Sequence, residues 1–175
     1  METNSKIKTM WKHILKKFNK YPAQLNVIKK MLELGLRIGK NKLYIGDVEI
    51  NTVSLAKSIN VDRRVITSTI NTINKDEELT KIFHNLQPAG PLLTNIHKEL
   101  KLGVIEIEGN AESPGILYEI TKLLTNENIS IRQAYAKIPD LNENPNLIII
   151  TDKPIKGDLL NKFLEIKGIT KVIIT

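Results

Sequence analysis

The strongest constraint on how this chain can fold is a break near its middle, over residues 87–91. The segment reads QPAGP, with a proline on each side of a glycine. Because proline lacks an amide hydrogen and fixes φ, neither a helix nor a central strand continues through such a segment. The 175 residues suffice for one medium domain or two small ones. We therefore predict a domain over residues 1–90, a connector helix over 91–101 and a second domain over 102–175.

Charge is distributed unevenly between the two halves of the chain. Residues 1–100 hold 17 Lys and Arg against 9 Asp and Glu, a balance of +8. Residues 101–175 hold 9 against 10, a balance of −1. This asymmetry indicates that the basic half faces a polyanion such as duplex DNA, although a solvated lysine-rich surface would look the same.

Several classes of protein are disfavoured by what the sequence lacks. With no cysteine, disulfides, thiolate metal sites and a cysteine nucleophile are excluded. No apolar run approaches the roughly 18 residues of a membrane span, and the N-terminus does not resemble a signal peptide. His13, His84 and His97 lack metal-ligand spacing, and no P-loop, GxGxxG or GxSxG is present. We expect a cytoplasmic protein that is not an enzyme and has no cofactor, metal or membrane partner.

The residues before the break are expected to be mainly helical. Four apolar residues at helical spacing, from Trp11 to Phe18, predict an amphipathic helix over about residues 6–19. The sequence LYIGDVEI predicts a hairpin over residues 43–50, with Gly46 at positive φ in the first turn position. Apolar periodicity predicts four more helices, over residues 23–36, 52–59, 62–73 and 76–86.

The segment TVSLAKSINVDRRVITSTINTI suggests two helices joined at nearly a right angle. Ala56 is small enough for a helix crossing, and Asn60 tolerates the left-handed region that the turn requires. Asp62 is a plausible N-cap for the second helix, and Val61 and Ile66 can form a hydrophobic staple across its first turn. These features predict a helix-turn-helix.

Polar residues of the second helix are expected near one exposed face, where they could contact phosphates or base edges. These candidate DNA-binding residues are Arg63, Arg64, Thr67, Ser68 and Asn71. The segment resembles the helix-turn-helix of bacterial-type transcription regulators, in which an LAxxxxV-like pattern precedes the recognition helix. It departs from that pattern at Asn60, where glycine is commonest, and at Thr69, where an aliphatic residue is usual. The alternative is an ordinary helical hairpin with solvated arginines.

From residue 101 the hydrophobic period changes to that of strands. Alternating Ile and Glu predict a strand over 101–109. Ser113 at the N-cap and Pro114 in the first turn then predict a helix that ends at about residues 126–128. Further strands are predicted over 129–137, 146–151 and 170–174, with a helix over 158–166. The chain is thus expected to be α+β, with a ferredoxin-like βαββαβ domain at its C-terminal end.

The sequence SPGILYEITKLLTNENISIRQAYA, after a strand, resembles the ACT family's strand-loop-PG-L-helix-xxxNI-strand signature. The resemblance covers residues 102–175, and its most specific positions are Pro114, Gly115, Leu117, Ile120, Asn128 and Ile129. With the helix-turn-helix-like half, the whole chain resembles an archaeal family of ACT-containing predicted regulators of amino-acid metabolism. The resemblance implies an amino-acid effector and ligand-controlled transcription.

A glycine on the first turn of a helix lets a ligand approach the backbone closely. Unpaired N–H groups and the helix dipole at that end attract a carboxylate. We therefore expect the effector carboxylate at Gly115 and Ile116, beside Ser113. Its ammonium group would need an acceptor such as Asn110, Glu112 or a group of a partner domain.

Assembly follows from the same resemblance, because ACT ligands usually lie where two domains pair. The resemblance implies a homodimer with the strand over 129–137, or the first helix of that domain, at the seam, and an exposed strand edge is a pairing template. The main functional hypothesis is an amino-acid-responsive transcriptional regulator that binds DNA. The alternative is an amino-acid-sensing regulatory subunit that docks on a biosynthetic enzyme without binding DNA, and salt-dependent DNA binding separates the two.

Overall fold

The computed structural model describes residues 11, 13–110, 113–137 and 145–175. Two compact units are present, which we call unit 1 (Met1–Gly90) and unit 2 (Pro91–Thr175). The protein is α+β, with helices and two antiparallel sheets. Within the described ranges, no helix is long and apolar enough to cross a membrane.

Unit 1 combines helices with a three-stranded antiparallel sheet. Helix α1 is described at residues 11 and 13–17, and the rest of its predicted start, residues 6–10 and 12, lies outside the described residues. The sheet has the order β1-β2-β3. The elements after α1 are α2 (Pro22–Leu34), β1 (Leu36–Gly39), β2 (Lys42–Ile45), β3 (Val48–Ile50), α3 (Thr52–Ser58), α4 (Arg63–Asn74) and α5 (Glu77–Phe83).

Strand β1 was not predicted, and the helix expected over residues 23–36 ends earlier. Gly35 takes φ 65° at the C-cap, so the chain turns there directly into β1. Side chains are excluded at this glycine, because a Cβ would lie 2.5 Å from the carbonyl oxygen of Gln87. The expectation of a mainly helical half with one two-stranded hairpin was therefore wrong by one strand. Gly46, in the predicted hairpin turn, does take positive φ, at 56°.

The core of unit 1 is built from the apolar faces of its helices and from β1 and β2. An ion pair joins α1 to the start of α5, with Lys17 Nζ 2.6 Å from Asp76 Oδ2 and 2.9 Å from Glu78 Oε2. Helix α1 also packs in this core through its buried Ile14. The largest fully buried side chains of the core of unit 1 include Ile14, Phe18, Ile28, Met31, Leu36, Ile66, Ile73 and Phe83.

Unit 2 has the element order βαββαβ after a short 3₁₀ helix. The sheet order is β5-β6-β4-β7, so β5 and β7 form its edges. Helices α6 and α7 pack on the same face, where Ile120 and Phe163 meet Ile105 and Ile149 in one buried cluster. Its elements are the 3₁₀ helix (Leu93–Ile96), β4 (Gly103–Gly109), α6 (Ile116–Asn126), β5 (Ile131–Ala136), β6 (Asn146–Thr151), α7 (Asp158–Leu164) and β7 (Ile169–Ile174).

Two predictions about local structure in unit 2 are wrong. The connector helix over 91–101 is only a short 3₁₀ helix, after which residues 97–101 form a hydrogen-bonded turn that ends where Lys101 takes φ 57°, just before β4. Ser113 is not the N-cap of α6. The helix begins at Ile116 with Gly115 at the N-cap, where φ of 93° is incompatible with a helical residue.

Candidate functional site

The turn between α3 and α4 is built by short-range contacts. Asn60 takes φ 53°, a left-handed conformation that asparagine adopts more readily than most residues. The amide of Val61 donates to the carbonyl of Ala56 at 3.0 Å, and Ala56 is buried. Asparagine therefore serves in this turn where glycine is commoner.

Asp62 caps α4, as predicted. Its Oδ1 accepts hydrogen bonds from the backbone N of Arg64 at 2.8 Å and from Arg64 Nε at 3.2 Å. These bonds and the neighbouring arginine charges hold the pKa of Asp62 below its ordinary value. The carboxylate thus remains negative beside the first turn of α4, so phosphates near this end would be bound by the arginine side chains rather than by the backbone amides.

Thr69, the second departure from the usual pattern, lies in the core of unit 1. The residue is fully buried, and its Oγ1 donates to the carbonyl of Val65 at 2.8 Å. A buried hydroxyl with a partner avoids most of the cost of burying a polar group. Threonine can therefore replace an aliphatic residue at this position.

The opposite side of α4 is exposed and polar. All five candidate DNA-binding residues lie on it: Arg63, Arg64, Thr67, Ser68 and Asn71. Thr72 and Lys75 continue the same surface and were missed, although each lies four residues after a candidate. We call these seven residues the α4 surface.

The cations of the α4 surface differ in how they are paired. Arg64 is 91% exposed and is paired with Asp62. Arg63 and Lys75 have no ion pair in the part of the chain that the structure describes. The surface therefore offers two unpaired cations, with hydroxyl and amide groups between them, which suits a polyanion carrying hydrogen-bonding groups.

Unit 2 contains a cavity of about 270 Å³ at the start of α6 and the ends of β4, β5 and β6. Four of the five predicted effector residues line it, namely Asn110, Ser113, Gly115 and Ile116. The fifth, Glu112, lies outside the described residues. Apolar side chains such as Ile107 and Leu147 make up much of the remaining wall.

The start of α6 is open on the side of this cavity. Among the described residues, no side chain caps the helix, and a Cβ on Gly115 would meet none of their atoms within 4 Å. The amides of the first helical turn therefore have no side-chain acceptor in the part of the chain that the structure describes, and the positive end of the helix dipole favours a negative ligand there. The positive φ of Gly115, rather than crowding, explains why glycine occupies this position.

Two polar residues of the cavity were not predicted. Lys137 lies at the end of β5 and donates its backbone N–H to the carbonyl of Asn146 at 3.0 Å. Asn146 Nδ2 donates to Glu106 Oε2 at 3.1 Å, and its buried Oδ1 has no hydrogen-bond partner within the described residues. The available signal was a polar residue opening the apolar strand NLIIIT.

No group of three or more His, Cys, Asp or Glu side chains that could hold a metal ion occurs within the described residues. The exposed cations, hydroxyl groups and amides of the α4 surface can bind anions and hydrogen-bonding groups.

No protein-family model and no curated protein matches the sequence. Solved structures similar to the chain include an AsnC family transcriptional regulator from Agrobacterium tumefaciens, at 12% identity and a TM-score of 0.28, over 87% of this chain and 86% of that one. Another is the transcriptional regulatory protein PF0864 from Pyrococcus furiosus, a member of the AsnC family, at 15% identity and a TM-score of 0.24. The similarity to PF0864 covers 72% of this chain and 77% of that one.

Proposed function

We propose that the protein is a DNA-binding transcriptional regulator whose helix α4 enters the major groove. The observation that carries this proposal is the α4 surface. Seven polar side chains are exposed on one side of a helix whose other side is buried, directly after a left-handed turn at Asn60. A helix of 12 residues presented in this way matches the way recognition helices enter the groove.

Charge supports the same assignment. The excess of eight positive charges within residues 1–100 favours association with a polyanion. Arg63 lies at the N-terminal end of α4, from which recognition helices contact bases and phosphates. Thr67, Ser68 and Asn71 follow along the helix, where hydroxyl and amide groups can read base edges.

We further propose that unit 2 is an ACT-like sensor that binds an amino acid in its cavity. A volume of about 270 Å³ suits a ligand of that size rather than a large cofactor. The effector carboxylate would accept hydrogen bonds from the first turn of α6 at Ile116, near Gly115 and Ser113. Asn110 is the proposed partner of the ammonium group, and Lys137 adds positive charge to the cavity wall.

A homodimer through unit 2 completes the proposal. Strand β5 lies at an edge of the sheet, and an edge strand can pair with a second copy. Two copies would supply two α4 helices, which dimeric helix-turn-helix proteins use to read two half-sites. Sedimentation of the full chain should give a dimer at micromolar concentration, and a monomer with and without effector would contradict this assembly.

DNA binding is tested by fluorescence anisotropy with the duplex upstream of the protein's own gene. The logarithm of the binding constant should fall linearly with the logarithm of salt concentration, by about 0.9 for each phosphate contact. Absence of binding even at low salt would overturn the regulator. If an amino acid nevertheless stabilised the chain, the regulatory subunit that docks on a biosynthetic enzyme would take its place.

Effector binding is tested by thermal unfolding in the presence of each common amino acid. A ligand at 100 times its dissociation constant should raise the free energy of unfolding by about 2.7 kcal/mol. The same amino acid should change DNA affinity, with a coupling of roughly 1–3 kcal/mol. If no amino acid stabilises the protein, the sensor proposal fails while DNA binding can still stand.

A further inference from the structure

Gln24 of α2 contacts the α4 surface from a neighbouring helix. Its Nε2 donates a hydrogen bond to Ser68 Oγ at 2.8 Å. In the part of the chain that the structure describes, the Ser68 hydroxyl makes no other hydrogen bond. The bond therefore determines how this hydroxyl is presented at the surface.

Other hydroxyl groups of α4 are used differently. Thr69 Oγ1 donates to the carbonyl of Val65 at 2.8 Å, and Thr72 Oγ1 donates to the carbonyl of Ser68 at 3.0 Å. A helical serine can also donate to the carbonyl four residues earlier. Ser68 instead accepts from Gln24, which leaves its own hydroxyl hydrogen for an acceptor outside the protein.

Folding alone does not account for glutamine at position 24. Gln24 Oε1 is buried and has no hydrogen-bond partner within the described residues. A buried amide oxygen without a partner destabilises a fold, whereas methionine has a similar size and no such group. A residue that costs stability at this position is better explained by what it does to Ser68.

We propose that Gln24 is a positioning residue for DNA sequence recognition, which holds the Ser68 hydroxyl as a donor toward an acceptor atom on a base. The proposal rests on the proposed function of α4. In the major groove the acceptors are guanine O6 and N7, adenine N7 and thymine O4, whereas the cytosine amino group is a donor. Gln24 thus restricts Ser68 to bases that present an acceptor.

The experiment starts from a pool of randomised duplexes from which the full-length wild type selects its preferred sequence. Anisotropy then compares the selected duplex with its single-base variants and with an unrelated duplex, at one salt concentration. Gln24→Met and Ser68→Ala should each weaken binding to the selected duplex by about fivefold, through loss of preference at the same base. The double variant should bind no more weakly than Ser68→Ala, because both changes remove one interaction.

Thermal unfolding separates positioning from support of the fold. Gln24→Met should melt no lower than wild type, since it removes a buried oxygen that has no partner. If the variant melted well below wild type and lost affinity equally for every duplex, Gln24 would be structural and the proposal would be overturned.

A second pair of variants tests the direction of the hydrogen bond. Gln24→Glu supplies an acceptor to which Ser68 would donate, so the same base preference should be lost although the two side chains remain bonded. Asn26→Asp adds an equal charge at an exposed position of α2 and serves as the matched control for repulsion of DNA. If Gln24→Glu keeps the wild-type preference after this correction, the proposed direction is wrong.

The remaining outcomes separate the role of Gln24 from the DNA-binding function on which that role depends. If the wild type selects a sequence and Gln24→Met keeps every base preference, the role of Gln24 is overturned while DNA binding stands. Additive effects in the double variant, or a uniform loss that indicates a phosphate contact by Ser68, also overturn it. If the wild type binds no duplex at low salt, the DNA-binding function fails first.

Discussion

The starts of α4 and α6 lie beside the two proposed binding surfaces, yet they are built in opposite ways. At α4 the Asp62 carboxylate accepts the amide hydrogen of Arg64 and keeps a negative charge over the first turn. At α6 the equivalent position is Gly115, and no side chain of the described residues accepts from the first turn. The capped start stabilises its helix and repels an anion, whereas the uncapped start leaves its amides for one.

This difference shows which part of each helix can meet its ligand. Because the Asp62 carboxylate caps the start of α4, phosphates have to be bound by side chains such as Arg63. At α6 the backbone itself is the expected contact, so the conformation of Gly115 matters more than the chemistry of nearby side chains. Substitutions that remove a side-chain contact should therefore have the larger effect on ligand binding in unit 1. Substitutions that change the backbone conformation should have the larger effect in unit 2.

The largest effect is expected from removing the two arginines of α4. Arg63→Ala with Arg64→Ala should weaken DNA binding roughly 30- to 100-fold at low salt, because two charge-assisted contacts are lost. The salt slope should become shallower by about one unit for each phosphate contact removed. Anisotropy titrations at several salt concentrations measure both quantities.

The matched control removes the same charge elsewhere in unit 1. Lys29→Ala with Lys81→Ala changes two exposed lysines that do not line the α4 surface. This variant should keep most of the affinity and most of the slope. Equal losses in the two double variants would mean that net charge, and not the α4 surface, controls binding.

A pair of glycines tests the conformation at the start of α6. Gly115 and Gly157 both occupy N-cap positions in unit 2, and a Cβ on either would meet no atom of the described residues within 4 Å. Gly115 has φ 93°, whereas Gly157 has φ −59°. Gly115→Ala should therefore lower the free energy of unfolding by about 1–2 kcal/mol, measured by denaturant unfolding.

Gly157→Ala adds the same methyl group without strain and should be neutral or slightly stabilising. If the conformation of Gly115 forms the anion site, Gly115→Ala should also weaken effector binding, while Gly157→Ala should not. Equal stability of the two variants would contradict the left-handed conformation assigned to Gly115.

Helices α3 and α4 and the turn between them could be predicted because their determinants act over a few residues. The small Ala56, the left-handed Asn60 and the capping Asp62 each determine a local geometry that the sequence displays directly. The exposed face of α4 followed from helical spacing alone. Gln24 could not be found in this way, because its partner Ser68 is 44 residues distant.

Strand β1 and the cavity of unit 2 depend on more distant parts of the chain. Gly35 ends α2 and leads into β1, but the apolar residues on either side of it also fit a longer helix. Residues 36–39 form a strand because they pair with β2, which local sequence does not show. Asn146 reaches the cavity only because β6 pairs with β4 and β5. Ser113 and Pro114 matched a common helix start, and the positive φ of Gly115 overrode that preference.

The cap of α4 can be separated from its charge by two substitutions. Asp62→Ala removes the acceptor for the Arg64 amide and should lower the melting temperature, whereas Asp62→Asn keeps an acceptor and should change it little. Both remove a negative charge beside the α4 surface, so both should raise DNA affinity at low salt by about twofold. Unchanged affinity in both variants would show that Asp62 does not face the DNA.

The smallest effect concerns the other carboxylate cap of unit 1, Asp76 at the start of α5. The hydrogen bond from Lys17 and that from the amide of Leu79 lower the pKa of Asp76 below its ordinary value. A carboxyl whose pKa is lower in the folded state stabilises the fold above its unfolded value of 3.8, and this contribution is lost as pH falls through the folded pKa. Because both side chains remain partly exposed, Asp76→Asn should lower the free energy of unfolding at pH 7 by less than about 1 kcal/mol. The difference from wild type should shrink as denaturant unfolding is repeated below pH 4.

Asp158→Asn provides the control, since Asp158 is an exposed acid in the first turn of α7 without an ion pair in the described residues. A larger loss in Asp158→Asn would mean that the helix dipole, and not the hydrogen-bonded cap, sets the acid dependence.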